Sequence, residues 1–249
     1  MTDRIILVTG GSRGIGAATA QLAAVHGYAV CISYLQRADA AEEVVSSIRN
    51  SGGEAIAVRA DVAVETDVMR LFETLDRSFG RLTALVNNAG TLERQMRVDE
   101  MDATRLNRVF ATNVTGSLIC AREAIRRMST RHGGNGGAIV NVSSMASRLG
   151  SPNEYVDYAA SKGAVDTMTV GLAKEVAAEG IRVNAVRPGV IYTEIHAAGG
   201  EPGRVDRVKD SVPMKRGGDA LEVANAIVWL LSDQASYTTG AFIDVAGGR

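Results

Sequence analysis

Tyr158 and Lys162 are four residues apart in the string Tyr158-Ala159-Ala160-Ser161-Lys162. In a helix, residues at that spacing lie one above the other on a single face. A free phenol ionises at about pH 10, and an ammonium within about 4–6 Å favours the phenolate. A tyrosine lowered in this way can give a proton to a carbonyl oxygen, or take one from an alcohol, close to neutral pH. Ser144 stands upstream at the end of an apolar run, where its hydroxyl can hold the same oxygen while charge develops on it. By itself a Tyr and a Lys four apart describes many amphipathic surface helices, so the setting has to come from the rest of the chain.

That setting begins with residues 4–9, a continuous apolar run of the kind buried on both faces of a parallel sheet. It leads into Thr9-Gly10-Gly11-Ser12-Arg13-Gly14-Ile15-Gly16 and a helical pattern over about residues 15–26. Strand, glycine turn and helix in succession favour phosphate binding over a mere turn. Backbone without side chains comes close to a pyrophosphate, and a helix N-terminus offers N–H donors and positive dipole. The spacing is Gly-x3-Gly-x-Gly, not the GxGxxG of most dinucleotide folds.

Residues 29–33 read as the second strand. An NAD-preferring site places an acid about 20 positions past the glycines, on the ribose 2′-hydroxyl. Here the strand runs out as Ser33-Tyr34-Leu35-Gln36-Arg37, with no acid at that place. Arg13 and Arg37 are cations fit to meet a 2′-phosphate, so NADP(H) is favoured over NAD(H). Asp39, the rival acid, precedes Ala40-Ala41-Glu42-Glu43 and reads as the cap of that helix.

Further strands are predicted at 55–59, 82–86, 138–142, 182–186 and 241–245, and helices at 65–79, 102–131, 155–179 and 219–231. Leu106, Phe110, Val114 and Leu118 recur every four residues and read as a core stripe. Asn113 beside them is either a satisfied core amide or the holder of a water near the reacting atoms. Trp229 is a core or interface anchor. Residues 194–213, rich in Gly, Pro and charge, read as a mobile lid spanning about 190–215. The alternation implies one α/β domain over residues 1–249: a doubly wound, Rossmann-like sheet of about seven parallel strands with helices on both faces. Ligands of such sheets bind at the carboxyl ends of the strands. Residues 10–16, 88–90, Ser144 and 188–193 should therefore meet in one cleft.

Composition agrees. With 249 residues, 46% apolar and 22% charged, the chain can bury a large core. A formal net charge of −1 creates no global field for nucleic acid or an anionic membrane. Cys31 and Cys120 lie far apart and read as buried thiols of a reducing compartment. The three histidines are scattered, which argues against a metal site. No apolar run approaches the ~18 residues of a membrane helix, and the first run is too short for a signal peptide. A cytoplasmic protein is expected.

Taken in order, Thr9-Gly10-x3-Gly14-x-Gly16, Asn87-Asn88-Ala89-Gly90, Ser144 and Tyr158-x3-Lys162 strongly resemble the short-chain dehydrogenase/reductase family, over essentially the whole chain. The resemblance implies Tyr158 as catalytic acid/base and Lys162 as the group that lowers its pKa and holds the nicotinamide ribose. It implies Ser144 as the orienter of the substrate oxygen and Asn113 as the anchor of a water in a proton relay to Lys162. Gly10, Ser12, Arg13, Gly14 and Ile15 are then expected along the adenosine phosphates, and Asp61 and Val62 at adenine. Asn88, Ala89 and Gly90 fall on the adenosine ribose side, and Pro188, Ile191 and Thr193 at the nicotinamide amide. Gly16, Tyr34, Arg37 and Gly189 complete that cofactor set. Ser143 competes with Ser144, which is preferred as second in the Asn141-Val142-Ser143-Ser144 string. The Ser-to-Tyr gap is a residue longer than is commonest, so the 151–154 loop is expected to be remodelled. Tyr155 has Ala159, not lysine, four residues on. A homotetramer is also implied.

The resulting expectation is an NADP(H)-dependent oxidoreductase acting on a carbonyl or secondary alcohol, with a 3-oxoacyl thioester and a sugar-like alcohol as candidate substrates. A nucleotide-sensing or scaffolding protein on the same fold is the rival, but such proteins commonly lose the tyrosine or lysine. Nucleotide-sugar epimerases and dehydratases are usually longer. Glu93, Arg94, Gln95, Ser151, Asn153, Glu154 and His196 are expected to border the pocket and hint at a polar substrate, although a solvated rim is the plainer reading. Arg126, Arg127 and Arg131 suggest docking of an acidic acyl carrier, yet cations at a helix C-terminus already complement its dipole.

Overall fold

The computed structural model describes residues 4–249. Seven strands form one parallel sheet in the order β3-β2-β1-β4-β5-β6-β7: β1 (Ile5–Val8), β2 (Ala29–Tyr34), β3 (Ala55–Arg59), β4 (Ala84–Asn87), β5 (Gly137–Val142), β6 (Ile181–Pro188) and β7 (Phe242–Val245). Side chains alternate across a strand, so β1 sends Ile6 and Val8 into one core and Ile5 and Leu7 into the other. The first core is closed by α1 (Gly14–Val25), α2 (Ala38–Asn50) and α10 (Ala220–Leu231), through residues such as Ala23, Ile48 and Ile227. The second lies under α3 (Glu65–Phe79), α5 (Gly116–Met128) and α7 (Val156–Val176), through Phe72, Leu75, Met128 and Val176. Covering both faces is why the strands read as unbroken apolar runs instead of alternating ones. Among the described residues no helix is long and apolar enough to cross a membrane.

Local sequence explains where several helices start. Asp102 accepts the Arg105 N–H at 2.7 Å and starts α4 (Ala103–Phe110), while Asp219 and Glu222 form a reciprocal capping box at α10. Asp39 is not a cap. Arg37 is the residue preceding α2, and Asp39 lies inside the first turn with its carboxylate turned back onto the Arg37 guanidinium.

The helix expected over 102–131 is interrupted. After α4 come five residues of π-helix (Ala111–Thr115), and only then α5. The wider turn changes which face looks inward. Val109, Asn113, Ser117 and Cys120 are buried, whereas Phe110 and Leu118 are 37% and 45% exposed. Leu106 and Val114 are half-buried, so the expected core stripe is only partly covered, and Trp229, 40% exposed, is likewise no core anchor. Residues 194–213 are also more ordered than a loop, carrying α8 (Ile195–Ala198) and α9 (Arg204–Val208).

Candidate active site

A cleft of about 860 Å³ opens at the carboxyl ends of the strands, around the point where β1 is flanked by β2 and β4. Its floor is the turn after β1. Gly10 and Gly14 have φ of +62° and +52°, where a side chain would be strained. A Cβ on Gly16 would stand 2.3 Å from the Gly10 carbonyl oxygen, so Gly16 belongs to the packing beneath the turn and does not line the cleft. Asn88 locks the turn by donating from Nδ2 to the carbonyls of Thr9 and Gly10, both at 2.9 Å. Arg13 precedes α1 without a side-chain cap, and no acid occupies the first turn. The open N–H groups there suit a pyrophosphate.

Every other expected cofactor residue lines this cleft: Tyr34 and Arg37 at the end of β2, Asp61 and Val62 past β3, Ala89 and Gly90 past β4, and Pro188, Gly189, Ile191 and Thr193 past β6. Arg13 stands on its wall, and Arg37 is held by Asp39 at 2.8 Å. Hydrogen bonding to Arg37 keeps the Asp39 carboxyl well down, at about 2.

Tyr158, Lys162 and Ser144 share the same cleft. Ser144 lies after β5 beside the Tyr158 hydroxyl, and its Oγ accepts the Ala146 N–H at 3.1 Å. Ser143 is buried and donates to the main-chain carbonyl of Lys162 at 3.3 Å. The Lys162 Nζ lies 5.6 Å from the centre of the Tyr158 ring and donates to the Val142 carbonyl at 2.7 Å. The expected lowering of the phenol pKa is absent here. Desolvation pushes Tyr158 up to about 12, against a smaller opposing pull from the Ser144 hydroxyl. Lys162 is pushed down to about 8 by its own burial. For both groups desolvation is the largest influence.

Asn113 does not line the cleft. Its Oδ1 accepts the Thr91 N–H at 2.7 Å, and its Nδ2 donates to the Thr91 carbonyl at 3.1 Å and to Ser161 Oγ at 3.0 Å. It is a satisfied core amide tying the loop after β4 to the first turns of α7. A Cβ built on Gly90 would be 3.4 Å from Asn113 Oδ1 and 3.6 Å from Lys162 Nζ, so both groups look at the same small space. Ser151 and Asn153 adopt φ of +45° and +62°, left-handed backbone that absorbs the longer connection from Ser144.

Of the expected rim residues, Ser151, Glu154 and His196 line the cleft. Glu93 is taken by Arg108, Asn153 by Arg97, and Gln95 by Glu201. Arg126 and Arg127 pair with Glu123, and Arg127 also with Asp76, while Arg131 approaches Glu179 at 4.0 Å. These cations are engaged within the chain.

Three ion pairs escaped the sequence reading. Arg105 grips Asp157 in a buried two-pronged bond, with Nε to Oδ2 at 2.8 Å and Nη2 to Oδ1 at 3.3 Å. Arg204 of α9 reaches Glu154 at 2.5 Å and lies 5.0 Å from the centre of the Tyr155 ring. Arg187 meets Asp166 at 3.0 Å. In sequence each member is one charge among many, and the partners are far apart along the chain. A small signal was present for one: Asp157 sits beside Tyr158 on a helix face that is otherwise small and apolar.

Comparison with known proteins adds four findings. A family profile described as enoyl-(acyl carrier protein) reductase matches residues 10–249. An uncharacterised oxidoreductase of Escherichia coli, YgfF, is 63% identical over 98% of this chain and 99% of its own length. A 3-oxoacyl-[acyl-carrier-protein] reductase of Synechocystis is 38% identical over 100% and 97%. Among solved structures, a short-chain dehydrogenase from Burkholderia cenocepacia in complex with NADP superposes with a TM-score of 0.89 at 31% identity, covering 98% of this chain and 97% of that one.

Proposed function

Because the chain belongs to the short-chain dehydrogenase/reductase family and is an NAD(P)-dependent oxidoreductase of that family, we propose that it passes hydride between NADP(H) and a carbonyl or secondary-alcohol carbon of a small substrate. When bound, the dinucleotide supplies or accepts that hydride. The observation that carries the reading is the meeting of Tyr158, Ser144 and Lys162 with the glycine turn in one cleft.

Tyr158 gives its proton to the substrate oxygen in reduction and takes one back in oxidation. Ser144, beside Tyr158 in the cleft, holds that oxygen as charge builds on it. Lys162 sits beside the ring as the cation that eases formation of the phenolate and as a holder of the nicotinamide ribose. Asn113 fixes Thr91 and Ser161, and the relay water has its place between Asn113 Oδ1 and Lys162 Nζ beside Gly90. Gly10, Ser12, Arg13, Gly14, Ile15 and Asn88 cradle the phosphates. Asp61 and Val62 flank adenine, and Pro188, Ile191 and Thr193 flank the amide of the nicotinamide. Arg13 and Arg37 support NADP(H) over NAD(H).

The 190–215 segment serves as a lid, with Arg204 and Glu154 as its catch. Exposed apolar residues on both layers, Phe110 and Leu118 on α4 and α5 and Trp229 on α10, support a homotetramer, because helices with such residues pair with copies of themselves. Buried free thiols at Cys31 and Cys120 fit the reducing cytoplasm. A 3-oxoacyl thioester or a sugar-like alcohol is the substrate class. The scaffolding alternative is disfavoured by the presence of both Tyr158 and Lys162 in the cleft.

The test is Tyr158→Phe. The variant should retain NADPH binding by fluorescence titration and lose hydride transfer by about 10²–10⁴-fold. Near-normal turnover on any ketone reduced by the parent would end the proposal.

A further inference from the structure

One charged pair stands behind these groups without entering the cleft. Lys162 is buried, and among the described residues its ammonium has the Val142 carbonyl as hydrogen-bond partner and no carboxylate in an ion pair. Four residues on, Asp166 occupies the same face of α7. Its Oδ2 accepts from Arg187 Nε at 3.0 Å, with both side chains largely buried. Its Oδ1 is buried with no hydrogen-bond partner, so that oxygen's charge is not spent on a neighbour.

Arg187 is itself fixed from three sides. Besides Asp166, it lies 3.9 Å from the centre of the Phe242 ring and approaches Asp244 at 3.5 Å. Asp244 in turn takes Arg148 at 3.1 Å. Arg148 belongs to α6 (Ala146–Leu149), which follows Ser144 directly. Two cations and two carboxylates thus alternate from α6 through β7 and β6 to α7, the elements that place Ser144, Pro188 and Lys162. The Arg187 bond at 3.0 Å holds Asp166 in place behind the cleft.

We propose that Asp166, held by Arg187, is a positioning residue that keeps the Lys162 ammonium charged and in place beside Tyr158. The inference rests on the reading that Lys162 serves Tyr158, and it names what sustains that service. Burial drives the amine toward its neutral form, and the negative charge of Asp166 is the influence that opposes it. The other groups facing Lys162 cannot replace it. They are the Tyr158 ring on α7, the Val142 carbonyl at the end of β5, and Asn113 Oδ1 beside Gly90. None is a carboxylate.

The experiment is a pH titration, by NMR, of ligand-free protein labelled with ¹³C-lysine, which has few signals to assign because the chain contains only Lys162, Lys174, Lys209 and Lys215. Asp166→Asn should move the Lys162 midpoint to lower pH, and Asp166→Glu, which keeps the charge, should restore it. Asp166→Asn with Arg187→Gln, which leaves no buried guanidinium facing a lost partner, should move it the same way should the single variant fold poorly. In turnover, Asp166→Asn should lose on the order of tenfold at alkaline pH, with Asp166→Glu staying close to the parent. An unmoved Lys162 midpoint in either neutral variant, or an equal shift in Asp166→Glu, overturns the proposal. The midpoint reports on Asp166 whether or not the protein turns over, so this failure is distinct from failure of Tyr158→Phe.

Discussion

Lys162 hands its ammonium to the carbonyl oxygen of Val142 at 2.7 Å, the last residue of the strand that delivers Ser143 and Ser144. One hydrogen bond is poor compensation for a buried ammonium, and the amine is accordingly pushed down to about 8 by desolvation. The unfolded chain holds the same amine in water, where it loses its proton near the ordinary value of 10.5. Below about pH 8 the folded protein therefore carries a charge that water would solvate better, and this penalty fades as pH rises from about 8 to 10.5.

Lys162→Met should consequently raise stability while removing activity. At pH 7 the gain in unfolding free energy is on the order of 3 kcal/mol, and it should shrink toward zero by pH ~10.5. Urea melts of both proteins at pH 7 and pH 10 measure it. A variant less stable than the parent at pH 7 would show that Lys162 is a net structural asset.

Ser144 stands in the cleft beside Tyr158 with its Oγ accepting the Ala146 N–H, whereas Ser143 donates to the main chain of α7. Ser144→Ala should cost about 10²–10³-fold in kcat with NADPH affinity unchanged. Ser143→Ala should cost about 1 kcal/mol of stability and leave kcat within a few-fold. A reversed pattern in steady-state kinetics would transfer the oxygen-holding role to Ser143.

How much of this was readable in advance follows from the range of each interaction. The parallel sheet and the cleft follow from local signals: apolar runs alternating with helical patterns, and glycine turns after the strands. Ser144, Tyr158 and Lys162 were legible because they stand in fixed order after strands that position them. The π turn around Asn113 was not, because Leu106, Phe110, Val114 and Leu118 keep an unbroken four-residue period and only tertiary packing chooses which face is buried. Charge pairs were invisible for a related reason. Arg105 and Asp157 are 52 residues apart, and Asp39 looked like a cap until its neighbour two positions back claimed it. The rise of the Tyr158 pKa depends on enclosure, which no spacing encodes.

Arg204 and Glu154 join the 190–215 segment to the rim of the cleft, with Arg207 reaching Glu154 as well at 3.3 Å. Hydrogen bonding to Arg204 holds the Glu154 carboxyl below its usual value, so this catch is intact above the ordinary carboxylate range and loosens as pH falls through the depressed value. Glu154→Gln should speed amide exchange in residues 195–208 by about tenfold and raise the substrate KM with little change in kcat. Exchange rates equal to the parent's would mean that other contacts close the segment.

Phe110 and Leu118 lie on one exposed face across the π turn. In a tetramer built on that face, Leu118→Lys places a charge in a dry contact, and light scattering should report a smaller assembly. A Leu118→Lys tetramer of unchanged mass would remove this face from the assembly.

Arg37 is not a free cation waiting for a 2′-phosphate, since Asp39 grips it through both oxygens, at 3.0 Å and 3.2 Å to Nε and 2.8 Å to Nη2. Both groups are exposed and face water beside the adenosine end of the cleft, so the pair exchanges readily with a competing anion. A phosphate on the ribose would take the guanidinium from a carboxylate that then turns outward. Asp39→Asn should therefore increase the ratio of kcat/KM for NADPH to that for NADH by about threefold, because Arg37 no longer has to be released. Arg37→Ala should lower the same ratio by roughly tenfold, and loss of Arg13 should compound it. A fall in the ratio's NADH term alone on Asp39→Asn would carry a different meaning: Asp39 would be the ribose acid, and the site would be built for NAD(H).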